Sequence, residues 1–184
     1  MPLIKDGIVT DDPYLQILDE APLPEGVPVL LPAQRFLADA QDLTQGLTQS
    51  LADRPGKIGV IWPNHRDVAE LAPWLDRLSL VALVFPTFKD GRAYSQARSL
   101  RERYRFRGEL RATGDVLRDQ FLFLHRVGFD AYQVKKPADA RSILDALHRY
   151  SVFYQPAGDG VAGALWRRTS HTQTSRKTAN ELAL

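Results

Sequence analysis

Cysteine is missing from all 184 residues. Its absence excludes disulfides, thiol redox chemistry, cysteine nucleophiles and cysteine-ligated iron–sulfur clusters. A redox role would need a bound organic cofactor, or a partner that carries the electrons. No apolar run is long enough for a membrane-spanning helix, so no membrane association is expected. The opening "MPLIKDGIVTDDP" has none of the basic, apolar and small-residue regions of a signal peptide, and a cytoplasmic location is expected. Charge of one sign is not in large excess either. Lys and Arg number 24 against 22 Asp and Glu, a net charge of +2, which argues against a dedicated nucleic-acid binder.

Familiar catalytic signatures are absent too. The sequence has no Gly-x-Gly-x-x-Gly fingerprint, no Gly-x-x-x-x-Gly-Lys-Ser/Thr loop and no Gly-x-Ser-x-Gly elbow. A standard dinucleotide dehydrogenase, P-loop ATPase or serine hydrolase is therefore not expected. The histidines, His65, His125, His148 and His171, show no metal-ligand spacing, so no metal site is expected. His65 alone falls in a loop where a ligand could sit, which makes it a weaker candidate as a base.

What is present reads as one α/β domain over residues 1–155, followed by a tail over 156–184. Residues 1–36 form a β-rich extension. In it, "LIKDGIV" suggests a hairpin around Lys-Asp-Gly, and "VPVLLP" a short edge strand. Residues 35–53 are helix-tolerant, with Phe36, Leu37, Leu43, Leu47 and Leu51 on one face. From residue 57 to 155 strands alternate with helices. "KIGVIW", "LSLVALVF", "GELRAT", "FDAYQVK" and "SVFYQ" read as strands, with "RDVAELAPWLDRL", "AYSQARSLRERY", "DVLRDQFLFLHRV" and "ADARSILDALHRY" as the helices between them. Such alternation predicts a mostly parallel five-stranded sheet of βα units, either an open sheet or a half-barrel. The tail is rich in Gly, Ala, Ser and Thr and reads as flexible. Its Trp166 is expected to dock either on the domain or on a partner.

In parallel sheets ligands bind beyond the carboxyl ends of the strands. Four loops qualify: 63–67 ("PNHRD"), 86–92 ("PTFKDGR"), 112–115 ("ATGD") and 135–137 ("KKP"). In the second, Gly91 would admit close backbone approach, and Lys89 and Arg92 would attract an anion; equally, Asp90 could simply cap the following helix. In the third, Asp115 is a good N-cap beside Gly114. Arg111, near the end of a buried-looking strand, needs a partner or a ligand, with Asp90 and Asp115 as candidate partners. Lys135 and Lys136 would add to the same positive potential. The run "RSLRERYRFR", residues 98–107, is read as a solvated helix face with Tyr104 and Phe106 turned inward.

The segments "LVFPTFKDGRAYSQARSLRERY", "GELRATGDVLRDQ" and "HRVGFDAYQV" resemble the hallmark of a bacterial domain family of unknown function. Its members are typically encoded beside assimilatory sulfite reductase and are often labelled oxidoreductases of sulfite reduction. The first block carries Phe85, Pro86, Phe88, Asp90, Gly91, Arg92, Ser95 and Arg98. The second carries Gly108, Glu109, Arg111, Ala112, Gly114, Asp115, Val116 and Gln120. The third carries Gly128, Phe129 and Asp130. Thr87 and Ala93 stand where relatives commonly have basic and glycine residues.

The resemblance implies sulfate assimilation as the pathway, with sulfite reductase or its electron donor as partner. The expected function is an accessory protein of sulfite reduction that binds an anionic ligand or that partner through its βα loops. The alternative is an oxidoreductase of sulfite reduction with a bound organic cofactor of unknown identity. The candidate binding set is Asp90, Gly91, Arg92, Arg111, Gly114 and Asp115, with His65, Lys89, Ser95, Arg98, Gln120 and Lys135 as weaker members. This scheme requires the guanidinium groups of Arg92 and Arg111 to meet at one rim.

Overall fold

A computed structural model describes residues 3–5, 7–18, 21–44, 56–134, 144–145, 153–154 and 157. Eight strands form one open, curled sheet, a half-barrel. They are β1 (Leu3–Lys5), β2 (Ile8–Thr10), β3 (Leu15–Gln16), β4 (Val29–Pro32), β5 (Ile58–Trp62), β6 (Leu78–Phe85), β7 (Glu109–Gly114) and β8 (Ala131–Gln133). Their order across the sheet is β2-β1-β8-β7-β6-β5-β4-β3. From β3 to β8 every neighbouring pair is parallel, whereas β1 is antiparallel to both β2 and β8.

The expected five-stranded sheet is thus corrected to eight largely parallel strands. The N-terminal pieces do not form an appendage: β1 and β2 extend one edge of the sheet, and β3 and β4 the other. Nor is "VPVLLP" an edge strand, because β4 lies between β3 and β5. Its proline is tolerated there because Pro32 is the last residue of the strand, where one missing N–H costs least. Phe153 and Tyr154, the described residues of the expected strand "SVFYQ", are not in a strand. The helix expected from "ADARSILDALHRY" and the tail fall almost entirely outside the described residues.

β6 sits at the centre, and its sequence "LSLVALVF" is apolar on both faces, as a doubly covered parallel strand requires. Side chains alternate between the faces. One face, with Val60, Trp62, Val81, Leu83, Phe85, Leu110 and Ala112, packs under the helices. These are α1 (Ala33–Thr44), α2 (Arg92–Arg98) and α3 (Phe121–Arg126). Ala93 and Ala97, one turn apart and fully buried, let α2 approach the sheet closely. The opposite face carries a small cluster of Leu30, Leu80 and Ala82, with Tyr14 and Ile61 packed against it.

The helices are shorter than their sequence patterns suggest. Residues Val68–Trp74 form a 3-10 helix containing Pro73, capped by the Asp67 carboxylate, which accepts from Ala69 N–H at 2.9 Å. α2 runs on into a π-helical turn at Ser99–Arg103, and a 3-10 turn at Arg118–Gln120 leads into α3. α3 ends at Arg126, and Gly128 just beyond its cap has a φ of 104°, the expected left-handed C-terminal stop. No helix among the described residues is long and apolar enough to cross a membrane.

Candidate functional site

Parallel pairing brings the ends of β5, β6 and β7 to one edge, and hydrogen bonds tie the loops there together. Asp115 N–H donates to Phe85 O at 2.8 Å, and Phe88 N–H donates to the Asp115 carboxylate at 3.2 Å. Gln120 donates its side-chain amide to Phe88 O at 2.8 Å and accepts from Leu117 N–H at 3.0 Å. The loops after β6 and β7 therefore converge, as the sequence suggests. Asp115 and Gln120 join the two loops.

The Gln96 amide does the same for the loop after β5. From α2 its Nε2 donates to Pro63 O at 3.1 Å and to Arg66 O at 2.8 Å. Arg66 in turn pairs with Glu70 and lies over the Trp62 ring.

Two glycines of the candidate set behave differently. Gly114 has φ +98°, and a Cβ there would sit 2.4 Å from Phe85 O. Only glycine lets β7 leave the sheet so close to β6. Gly91, by contrast, has φ −82°, and a Cβ there would meet nothing within 4 Å. Among the described residues no atom crowds Gly91, so nothing within them requires glycine there.

Asp90 and Arg92 form a tight local pair. Arg92 Nε and Nη2 donate to the Asp90 carboxylate at 3.0 and 2.7 Å, and Arg92 N–H donates to it at 3.2 Å. The guanidinium holds the Asp90 carboxyl well below the usual carboxylate range, with the backbone N–H and the Asn64 side chain acting in the same direction. The Arg92 side chain remains 59% exposed, and its Nη1 donates to nothing among the described residues. Lys89 is exposed too, with its ammonium 5.6 Å from the centre of the Phe88 ring.

Arg111 is elsewhere. It projects from β7 on the face opposite the helices, between Glu109 and Thr113, and is 1% exposed. Its Nη1 and Nη2 donate to Asp12 at 2.6 and 3.1 Å, and its Nε donates to Glu109 at 2.9 Å. Glu109 also accepts from Lys5 Nζ at 2.9 Å, and the Tyr14 ring lies against the Arg111 guanidinium. Burial alone would lower the Arg111 pKa, but the two carboxylates outweigh it and the net shift is upward.

The expectation that Arg92 and Arg111 meet at one rim is therefore corrected: they occupy opposite faces of the sheet. The buried arginine found its partners in the N-terminal segment and its own strand, not in Asp90 or Asp115. Of the weaker candidates, His65 and Ser95 are exposed, and Arg98 pairs with Glu102 one turn along at 2.9 Å. Lys135 and Lys136 lie outside the described residues. Among the described residues no group of three or more His, Cys, Asp or Glu could hold a metal ion.

The sequence reading missed three residues at this edge. Trp62 is fully buried, Asn64 5% exposed and Gln96 7% exposed. Among the described residues, the Trp62 Nε1, Asn64 Nδ2 and Gln96 Oε1 atoms are buried without a close hydrogen-bond partner, although the Asn64 side chain lies near enough to the Asp90 carboxylate to lower its pKa. A buried orphan of this kind costs about 1–3 kcal/mol unless something satisfies it, so orphans on residues at the loop after β5 are a functional signal. The hint in the sequence was the polar "PN" directly after an apolar strand.

No curated protein and no solved structure matches the chain. A family model does match, over residues 59–165: the chain belongs to the family described as bacterial protein of unknown function (DUF934).

Proposed function

We propose that the protein is an accessory factor of assimilatory sulfite reduction that holds a small oxyanion at its βα-loop edge and works beside sulfite reductase or its electron donor. The pathway rests on the resemblance of the Phe85–Arg98, Gly108–Gln120 and Gly128–Asp130 blocks. The site rests on one observation above all: among the described residues the buried Trp62 N–H has no acceptor and the Asn64 amide makes no close hydrogen bond, reaching only toward the Asp90 carboxylate that Arg92 holds, at the edge where Arg92 and Lys89 are exposed.

An oxyanion brings several acceptor oxygens, which suits these donors and the free Arg92 Nη1. Gln96 Oε1 would accept from a protonated oxygen of the same group. Asp90 holds Arg92 in place, Gly114 brings the loops close, and Asp115 and Gln120 fix them to each other. In this reading Arg111 is a structural tie.

Growth of a deletion strain on sulfite as sulfur source, complemented by wild type, Arg92→Ala and Arg111→Lys, tests the proposal. Loss of complementation with Arg92→Ala at normal protein abundance supports it. Full complementation by Arg92→Ala combined with Asn64→Ala would refute it. Absorbance of the purified protein separates the alternative enzyme: a flavin-like spectrum would favour an oxidoreductase over an accessory factor.

A further inference from the structure

The opposite edge of the sheet, where the parallel strands begin, gathers cations of its own. Lys57 immediately precedes β5, Arg77 immediately precedes β6, and Arg103, Arg105 and Arg107 lie in the connection leading into β7. All five are exposed. Strand register sets them side by side. Ile58 pairs with Leu78, which puts Lys57 level with Arg77. Leu80 pairs with Glu109, which puts Arg107 level with Leu78, one residue from Arg77. Three adjacent strands span only about 10 Å.

None of the five makes an ion pair among the described residues. The other arginines of the run are already engaged. Arg98 pairs with Glu102, and Arg101 donates to Gly128 O, Phe106 O, Gly108 O and Asp130. Among the described residues the exposed acids near this edge are Glu25, Asp76 and Glu102, the last of them paired with Arg98. With a net charge of only +2 over the whole chain, the cluster is a strong local asymmetry.

The backbone is shaped to present it. Arg105 has φ 55°, a left-handed conformation that is sterically unfavourable for a residue with a side chain. Phe106 N–H donates to Leu100 O at 2.9 Å, and Arg101 donates to Phe106 O at 2.7 Å, which pins the turn. Phe106 is thereby buried while Arg105 and Arg107 point outward.

From this geometry we infer that the strand-start edge, Lys57, Arg77, Arg103, Arg105 and Arg107, is a docking surface for an acidic patch on a partner protein. A protein fits better than a nucleic acid because among the described residues this edge offers no exposed aromatic stacking platform: Phe106 is buried, and Tyr104 is half-buried with Arg103 over its ring. Exposed guanidinium groups recognise carboxylates bidentately and are enriched in protein interfaces. The surface is distinct from the loop edge proposed to hold the oxyanion and stands without it.

Binding of a short poly-L-glutamate, measured by fluorescence anisotropy at low and near-physiological salt, tests this inference, with a single-stranded thymidine oligonucleotide as comparison. Two variants address the surface independently: Arg103→Glu with Arg105→Glu and Arg107→Glu, and Lys57→Glu with Arg77→Glu. A third, Lys89→Glu with Arg92→Glu, addresses the loop edge. The expected result is salt-sensitive poly-L-glutamate binding, weakened by at least roughly tenfold in either strand-start variant and retained in the loop-edge variant. The inference is overturned if wild type does not bind, if both strand-start variants bind like wild type, if only the loop-edge variant loses binding, or if the oligonucleotide binds more tightly than poly-L-glutamate.

Discussion

Arg111 Nη1 lies 2.6 Å from the Asp12 carboxylate, 99 positions away along the chain. With Glu109 on its other side, this guanidinium ties the N-terminal segment across one face of the sheet. A charge so deeply buried is tolerated because both neighbouring carboxylates are bonded to it.

Breaking that arrangement should therefore damage stability. Arg111→Ala leaves Glu109 buried with only Lys5 as partner, and a loss of about 3–5 kcal/mol is expected in urea denaturation. Asp12→Ala should cost less, since Glu109 still faces the guanidinium. Neither substitution should alter the response to sulfite.

Gly114 and Gly91 should respond in opposite ways to the same change. Gly114→Ala puts a Cβ against Phe85 O in a left-handed conformation, and a loss of at least about 1–3 kcal/mol is expected. Gly91→Ala meets open space at an ordinary φ and should stay within about 1 kcal/mol of wild type. Thermal unfolding of the two variants checks the contrast.

The Asp90 carboxyl titrates low because Arg92 stabilises its ionised form. Its pKa is depressed by folding, so its contribution to stability is present above the unfolded value, about 3.9, and is lost as pH falls through the folded value. A carboxyl-carbon NMR titration should find Asp90 still ionised at about pH 3, with the midpoint rising toward the ordinary range in Arg92→Ala.

The central strands were legible because each is a short apolar run bounded by Gly, Pro or charge. "KIGVIW", "LSLVALVF" and "GELRAT" fall within a residue of β5, β6 and β7. The hairpin at Lys-Asp-Gly was readable for the same local reason, with Gly7 at φ 77°. β3, two residues long, carries no such signal. It exists because Leu15 pairs with Val29 and Gln16 with Leu30, a contact only tertiary structure creates. The convergence of the loops followed from parallel pairing alone. The partner of Arg111 did not: a buried arginine announces that it needs a carboxylate, but loop proximity pointed to Asp90 and Asp115, while strand alternation turned its side chain to the other face. The orphaned donors of Trp62 and Asn64 were harder to read: a tryptophan ending an apolar strand reads as core, and only the polar Asn64 soon after it gave a hint.

The indole N–H resonance of Trp62, followed during titration with sulfite and then sulfate, tests the central claim most directly. The account predicts a saturable shift of the Trp62 indole together with the Asn64 side-chain amide and Arg92 Nε–H, abolished in Arg92→Ala and retained in Asp12→Ala. Unchanged Trp62 and Asn64 signals in a folded, saturably titrated sample would contradict it.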